Sequence, residues 1–207
     1  LQKHTRFLYS KGGLYKVHNG NLLFHGCIPM NEDGSLMTFT IGGKERSGRE
    51  FLDYADKTAR KAYYDKRGTP EREFGMDFLW WLWAGRNSPL FGRDRMTTFE
   101  RRFIKDESTW AEPKNAYYSF YHDPAVCEML LKEFSLDGKH SHIINGHVPV
   151  KVRKGESPIK GGGKLLVIDG GFSKAYQSTS GIAGYTLTFG SRYMRIVAHQ
   201  PFAGKLH

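Results

Sequence analysis

An α/β fold is predicted for this chain, a layered arrangement with strands near both ends and a block of helices inserted between them. Three observations predict it. Asn19-Gly20 separates two apolar stretches, apolar residues recur at spacings of three and four after Gly48, and short apolar runs punctuated by glycine return after Asp137-Gly138.

The elements follow in order. Leu14 to His18 and Asn21 to His25 flank the Asn-Gly pair, whose two residues tolerate positive φ, so they read as a hairpin. A turn-rich stretch from Pro29 to Gly34 leads to a further strand around Leu36 to Ile41. Phe51, Leu52, Ala55, Ala59 and Ala62 then mark one face of a helix, and Arg72 to Ala84 reads as a second. Within it Phe78, Leu79, Trp80, Leu82 and Trp83 are expected to be buried. A basic, aromatic, proline-punctuated loop follows. The helix Asp123 to Phe134 opens with Asp123 as N-cap and Pro124 at the first helical position. Ser141 to Ile144, Val148 to Val152, Lys164 to Ile168, Tyr185 to Phe189 and Tyr193 to Ala198 complete the strands. The expected division is a first β segment over 1–47, a helical insertion over 48–140 and a second β segment over 141–207 that completes the same domain.

Composition excludes several classes of function. With 39% hydrophobic, 14% aromatic and 25% charged residues, the chain is far from the compositions that stay disordered. Asp77 and Arg86 bracket the most apolar patch, which falls well short of the roughly 18 residues a membrane span requires, so no membrane partner is expected. Two cysteines, Cys27 and Cys127, make no disulfide framework, and with no secretory leader at the start a reducing, cytoplasmic setting is expected. The net charge of +10 calls for an anionic partner. Leu1 stands where a complete chain would have Met, and a fragment is expected.

Two segments place a histidine beside a glycine after an apolar strand, His25-Gly26 and Gly146-His147. Ligands collect beyond the carboxyl ends of strands in such sheets, and neutral imidazole is the commonest transition-metal ligand, although a lone histidine is more often structural. Asp169-Gly170-Gly171 ends another strand and reads equally as a third polar group or as a turn. Lys160-Gly-Gly-Gly-Lys164 lacks the spacing of a phosphate loop and reads as a hairpin turn. Cys27 and Cys127 read as apolar fillers, with no partner cysteine at zinc-site spacing. The segment Trp83 to Arg95 carries arginines whose planar forks suit phosphate.

Longer blocks carry a specific resemblance. Leu22-Leu-Phe-His-Gly-Cys-Ile-Pro29, Asn87-Ser-Pro-Leu-Phe-Gly92, Thr98-Phe-Glu-Arg101, Ile143-Ile-Asn-Gly-His-Val-Pro-Val-Lys151, Gly155-Glu-Ser-Pro-Ile-Lys160 and Leu166-Val-Ile-Asp-Gly-Gly-Phe-Ser-Lys-Ala-Tyr-Gln177 resemble class III fructose-1,6-bisphosphatase. The similarity covers nearly the whole chain. It implies the C-terminal part of a metallophosphatase-type β-sandwich flanked by helices, with a two-metal manganese site that removes the 1-phosphate of fructose 1,6-bisphosphate in gluconeogenesis. His25 and His147 would ligate one ion. The family's earlier metal motifs are not in this sequence, so the chain alone is expected to be inactive. Asn145 and Asp169 are the candidate acceptors for the other ring nitrogen of each histidine. Arg86, Arg93 and Lys174, chosen by residue type and loop position, are candidates for gripping the uncleaved phosphate. A homo-oligomer is possible on this reading. Another phosphatase of the same superfamily, acting on phosphoproteins or dinucleotides, is the alternative enzyme, and a basic nucleic-acid-binding module is the alternative of another class. Nucleic acid is not the expected partner.

Overall fold

The structure, a computed structural model, describes residues 1–170, 181 and 184–199. Its centre is a five-stranded sheet made from β1 (Tyr15–His18), β2 (Asn21–Phe24), β5 (Ile143–Asn145), β6 (Ile159–Lys160) and β7 (Leu165–Val167), in the order β1-β2-β5-β7-β6. The three inner strands are parallel, and each edge strand is the antiparallel arm of a hairpin. Two further ribbons, β3 (Phe39–Ile41) with β4 (Lys44–Arg46) and β8 (Tyr185–Phe189) with β9 (Met194–Ala198), stand apart from it. The chain is thus a mixed α/β protein.

Local chemistry accounts for the turns. Asn19 and Gly20 both take positive φ, 49° and 71°, the left-handed pair whose twist matches that of the strands it joins. Gly42 and Gly43 turn β3 into β4 in the same way, at 60° and 72°. The glycines at 161–163 join β6 to β7, as a hairpin turn should.

Between the two halves of the sheet lie α2 (Gly48–Tyr64), α3 (Pro70–Ala84), α4 (Thr98–Phe103), α5 (Tyr117–Phe120) and α6 (Pro124–Glu133). The predicted face of α2 is the one buried. Asp123 accepts the Ala125 N–H at 2.8 Å with Pro124 beginning α6. One face of the sheet, Leu22, Phe24, Ile143, Leu165 and Val167, joins a single core with Phe51, Leu52, Phe78, Leu82, Tyr117, Leu130 and Leu131. Cross-strand partners share a face, so Leu23, Ile144 and Leu166 lie together on the opposite side, outside that core.

Four expectations are corrected. Val148 to Val152 is not a strand: Pro149 has no N–H for a ladder, and the chain instead enters a short 3₁₀ turn at Val152–Lys154. Trp80 and Trp83 are 68% and 57% exposed, because α3 packs on one side and its apolar run extends around the helix. The loop after α3 contains α4, α5 and a 3₁₀ turn at Glu107–Trp110. The first segment, read as β, begins with a helix, α1 (Gln2–Lys11), that buries none of its own residues. It is held from outside: Tyr9 stacks on Tyr63 at 4.4 Å, and Arg60, anchored by Asp56, donates to the Tyr9 and Gly12 carbonyls at the helix end.

Two consequences can be measured in the complete polypeptide. A Cβ on Gly75 would lie 2.9 Å from both the Ala62 nitrogen and the Thr58 oxygen of α2. Ala normally favours a helix over Gly, but here the clash reverses the sign, and Gly75→Ala is expected to destabilise by about 1–3 kcal/mol in thermal unfolding. Glu112 accepts the Thr97 N–H at 2.9 Å and its hydroxyl at 3.0 Å, and pairs with Arg93 at 3.3 Å. Burial raises its pKa, but the Thr97 bonds, Arg101 and Arg93 outweigh that and hold it below its usual value of 4.5. A depressed carboxylate stabilises above its unfolded pKa and loses that contribution as pH falls through the folded one. Glu112→Gln is therefore expected to lower the melting temperature at neutral pH, with the difference closing in acid below 4.5.

Candidate metal centre

The register of the sheet brings the candidate residues together. Phe24 pairs with Asn145, and Asn145 with Val167, so β2, β5 and β7 end side by side at their carboxyl ends. His25 is one residue past the end of β2, His147 two past β5 and Asp169 two past β7. All three line one hollow of about 410 Å³ with Leu23, Ile144 and Gly146. Open α/β sheets bind ligands at this end.

The two imidazoles meet. His25 Nε2 lies 3.1 Å from His147 Nδ1, with the rings edge to face. The other nitrogen of His147, Nε2, lies 2.8 Å from the Phe91 carbonyl. A carbonyl can only accept, so Nε2 carries the proton and Nδ1 presents a lone pair toward His25. Burial first, and then His25, push the His147 pKa below 6.5 against the opposing bond to Phe91, which keeps the ring neutral. His147 also takes φ of 68°, an uncommon backbone for a side chain of its size. A position that over-determined points to function.

A strap from Gly85 to Arg93 supplies the Phe91 carbonyl. Ser88 is fully buried; its hydroxyl donates to Leu82 at the end of α3 and accepts the N–H groups of Leu90 and Phe91. The Cys27 N–H donates to Pro89 at 2.8 Å. The contact is so close that a Cβ on Gly26 would fall 2.1 Å from the Pro89 oxygen. The glycine after His25 is required by this approach, and the Ser-Pro-Leu-Phe-Gly block brings the Phe91 carbonyl to the His147 ring. Phe91 was not foreseen as a site residue, since a backbone carbonyl leaves no mark on residue type.

The remaining candidates separate. Asn145 touches neither ring; its amide donates toward the carbonyls of Phe24, His25 and Gly26, the last two at 3.0 and 2.9 Å, and it accepts the Tyr117 hydroxyl at 3.1 Å. It orients His25 through the backbone, and the ring-nitrogen acceptor for His147 is Phe91. Asp169 shares the hollow. Arg93 acts electrostatically on His147 but is engaged by Glu112. Arg86 lines other hollows and pairs with Asp94 at 2.5 Å. Lys174 lies outside the described residues. Burial raises both thiol pKa values, that of Cys127 to about 11, so neither cysteine offers a thiolate.

The histidine pair fits a metal ion. Two ring nitrogens at about 2.1 Å from one ion and at right angles to each other would stand about 3 Å apart, as these do. Among the described residues no group of three or more His, Cys, Asp or Glu side chains could hold an ion. Among the described residues no helix is long and apolar enough to cross a membrane.

The family model described as Firmicute fructose-1,6-bisphosphatase matches residues 1–207. A class 3 fructose-1,6-bisphosphatase of Clostridium botulinum strain Hall is 54% identical over 203 residues, 98% of this chain and 30% of the relative. One from Clostridium beijerinckii is 54% identical over 202 residues, 98% of this chain and 31% of the relative. The chain thus spans about 30% of the length of these curated relatives. No solved structure matches it. With the match running over its whole length and the histidine blocks inside it, the chain belongs to the Firmicute fructose-1,6-bisphosphatase family.

Proposed function

We propose that this chain supplies one side of the active centre of an enzyme that hydrolyses the 1-phosphate of fructose 1,6-bisphosphate. The observation that carries the reading is the His25–His147 pair, 3.1 Å apart at the ends of two parallel strands, with one tautomer fixed by the Phe91 carbonyl. Membership of the family and the names of the relatives supply the substrate class.

On this reading His25 and His147 hold one ion of a manganese pair. Bound, such a pair supplies charge neutralisation of phosphate oxygens and a water acidic enough to attack at neutral pH. The chain's own residues position the donors. Asn145 holds the His25 carbonyl, Phe91 holds the His147 ring, and Gly26 admits the strap that carries Phe91. The five-stranded sheet is then part of a metallophosphatase-type sandwich whose remaining strands come from elsewhere in the longer polypeptide. Two buried free thiols suit a cytoplasmic setting.

The test uses the complete polypeptide with manganese. His25→Ala and His147→Ala are each expected to weaken manganese binding in calorimetric titration and to lower phosphate release from fructose 1,6-bisphosphate by at least about 100-fold. Full activity in either variant, folded by circular dichroism, sinks the reading. Activity on phosphoproteins but not on the bisphosphate would move the substrate to the alternative phosphatase class.

A further inference from the structure

The face of the strap beyond Phe91 is cationic. Arg93 pairs with Lys114 across an antiparallel bridge, and the Lys114 ammonium lies 5.6 Å from the centre of the Tyr118 ring. Tyr121, one helical turn on, meets Tyr118 edge-on at 5.8 Å, and the Lys160 ammonium lies 5.0 Å from the Tyr121 centre. Two lysines thus flank one pair of tyrosine rings. Lys160 is only 9% exposed. Lys151 belongs to the same group: burial, then Lys151, Arg93 and Lys160, push the Lys114 pKa below its usual value.

The counter-charge is thin. Glu156 acts on Lys114 and Lys160 and accepts the Lys151 N–H at 3.0 Å, and His122 faces Lys160 and Glu156. The charge of Arg93 is met by Glu112. Among the described residues, Lys114, Lys151 and Lys160 have no carboxylate oxygen within 4.0 Å. Three ammonium groups around one carboxylate, one of them on a side chain nine-tenths buried, repel each other unless an anion joins them. The cluster also borders the histidine pair. Arg93 acts on both Lys114 and His147, Asp169 acts on Tyr118, and the Tyr118 hydroxyl donates to Gly26, next to His25.

We propose that Lys114, Lys151 and Lys160, with Arg93 on the side of the histidines, form a phosphate subsite that holds the phosphate of the substrate that is not cleaved. The assignment to that phosphate rests on the function proposed above; the subsite itself does not. Phosphate fits because its several acceptor oxygens can take separate ammonium groups arriving from different elements, here the strap partner, the turn before Val152 and β6. The tyrosine rings face the ammonium groups and favour their charge. Arg86, with its charge given to Asp94, is not needed.

The experiment has two arms on the complete polypeptide. In the first, inorganic phosphate is titrated calorimetrically into metal-free protein. Binding is expected, weakened at least tenfold in the double variant Lys114→Gln, Lys160→Gln and largely restored when position 160 carries Lys160→Arg instead. Should the double variant fail to fold, Lys114→Gln alone, at an exposed side chain, is expected to weaken binding severalfold. Absence of phosphate binding by the wild-type protein, or unchanged affinity in a folded variant, overturns the subsite. In the second arm, the ratio of kcat/KM for fructose 1,6-bisphosphate to that for fructose 1-phosphate is expected to fall by tens of fold in the manganese-loaded variant. An unchanged ratio alongside lost phosphate binding overturns the assignment to the uncleaved phosphate. A wild-type protein that binds phosphate but hydrolyses neither sugar phosphate overturns the proposed function and leaves the subsite standing.

Discussion

Asn145 is the constraint on which the site depends. It ends β5 with 2% exposure, facing the core side of the sheet where a polar group must find partners. Its amide spans the carbonyls of three successive residues, Phe24 to Gly26, as the neighbouring strand ends. Tyr117, also fully buried, occupies its oxygen. One side chain therefore ties together two parallel strand ends and a helix of the insertion. Without it, the His25 and Gly26 carbonyls would keep only the Gly146 N–H and the Tyr118 hydroxyl, and the shared tie to β5 would be lost in a place packed with Phe24 and Tyr117.

The insertion does more than cover the sheet. Its strap returns to the strand ends and presses a backbone carbonyl onto His147, and the closeness of that return leaves no room for a side chain at position 26. Carboxylates along the strap are used for holding it: Glu112 ties Thr97, Arg93 and Arg101, and Asp94 meets Arg86 and Arg95. Arginines that look available in the sequence are thereby occupied, whereas lysines from three separate elements are left with little counter-charge.

What could be read from the sequence follows from how local each determinant is. The Asn19-Gly20 turn, the face of α2 and the Asp123-Pro124 opening of α6 need only neighbours a few residues away, and each was legible. The two histidines were legible because a histidine after an apolar strand and beside glycine has few places to go. Their contact was not, since it depends on β2 and β5 being adjacent across more than a hundred residues of intervening chain. Phe91 acts through its backbone, and Asn145 through three carbonyls, so residue type pointed to neither role. Exposure of Trp80 and Trp83 was hidden for a related reason: an apolar run all round a helix does not say which side has a partner.

The charge of the ligand set argues for what must complete the centre. On the proposed reading His25 and His147 offer ring nitrogens to the ion, and of the acids only Asp169 shares their hollow among the described residues. Burial and His25 lower the His147 pKa first and Arg93 adds to them, and a guanidinium charge there would oppose a divalent cation in the proposed site. On the proposed reading, a doubly charged ion held by two imidazoles beside Arg93 would lack the anionic ligands that offset its desolvation, so this chain by itself is expected to bind metal weakly. Carboxylates supplied by the rest of the longer polypeptide would change both terms at once, cancelling the ion's charge and leaving the cationic strap free to face phosphate. The division is physically sensible. Under the proposed function, imidazole donors on the side with lysines and arginine would let substrate phosphates approach, while the acidic ligands needed to retain the ion would repel those phosphates if they shared that side.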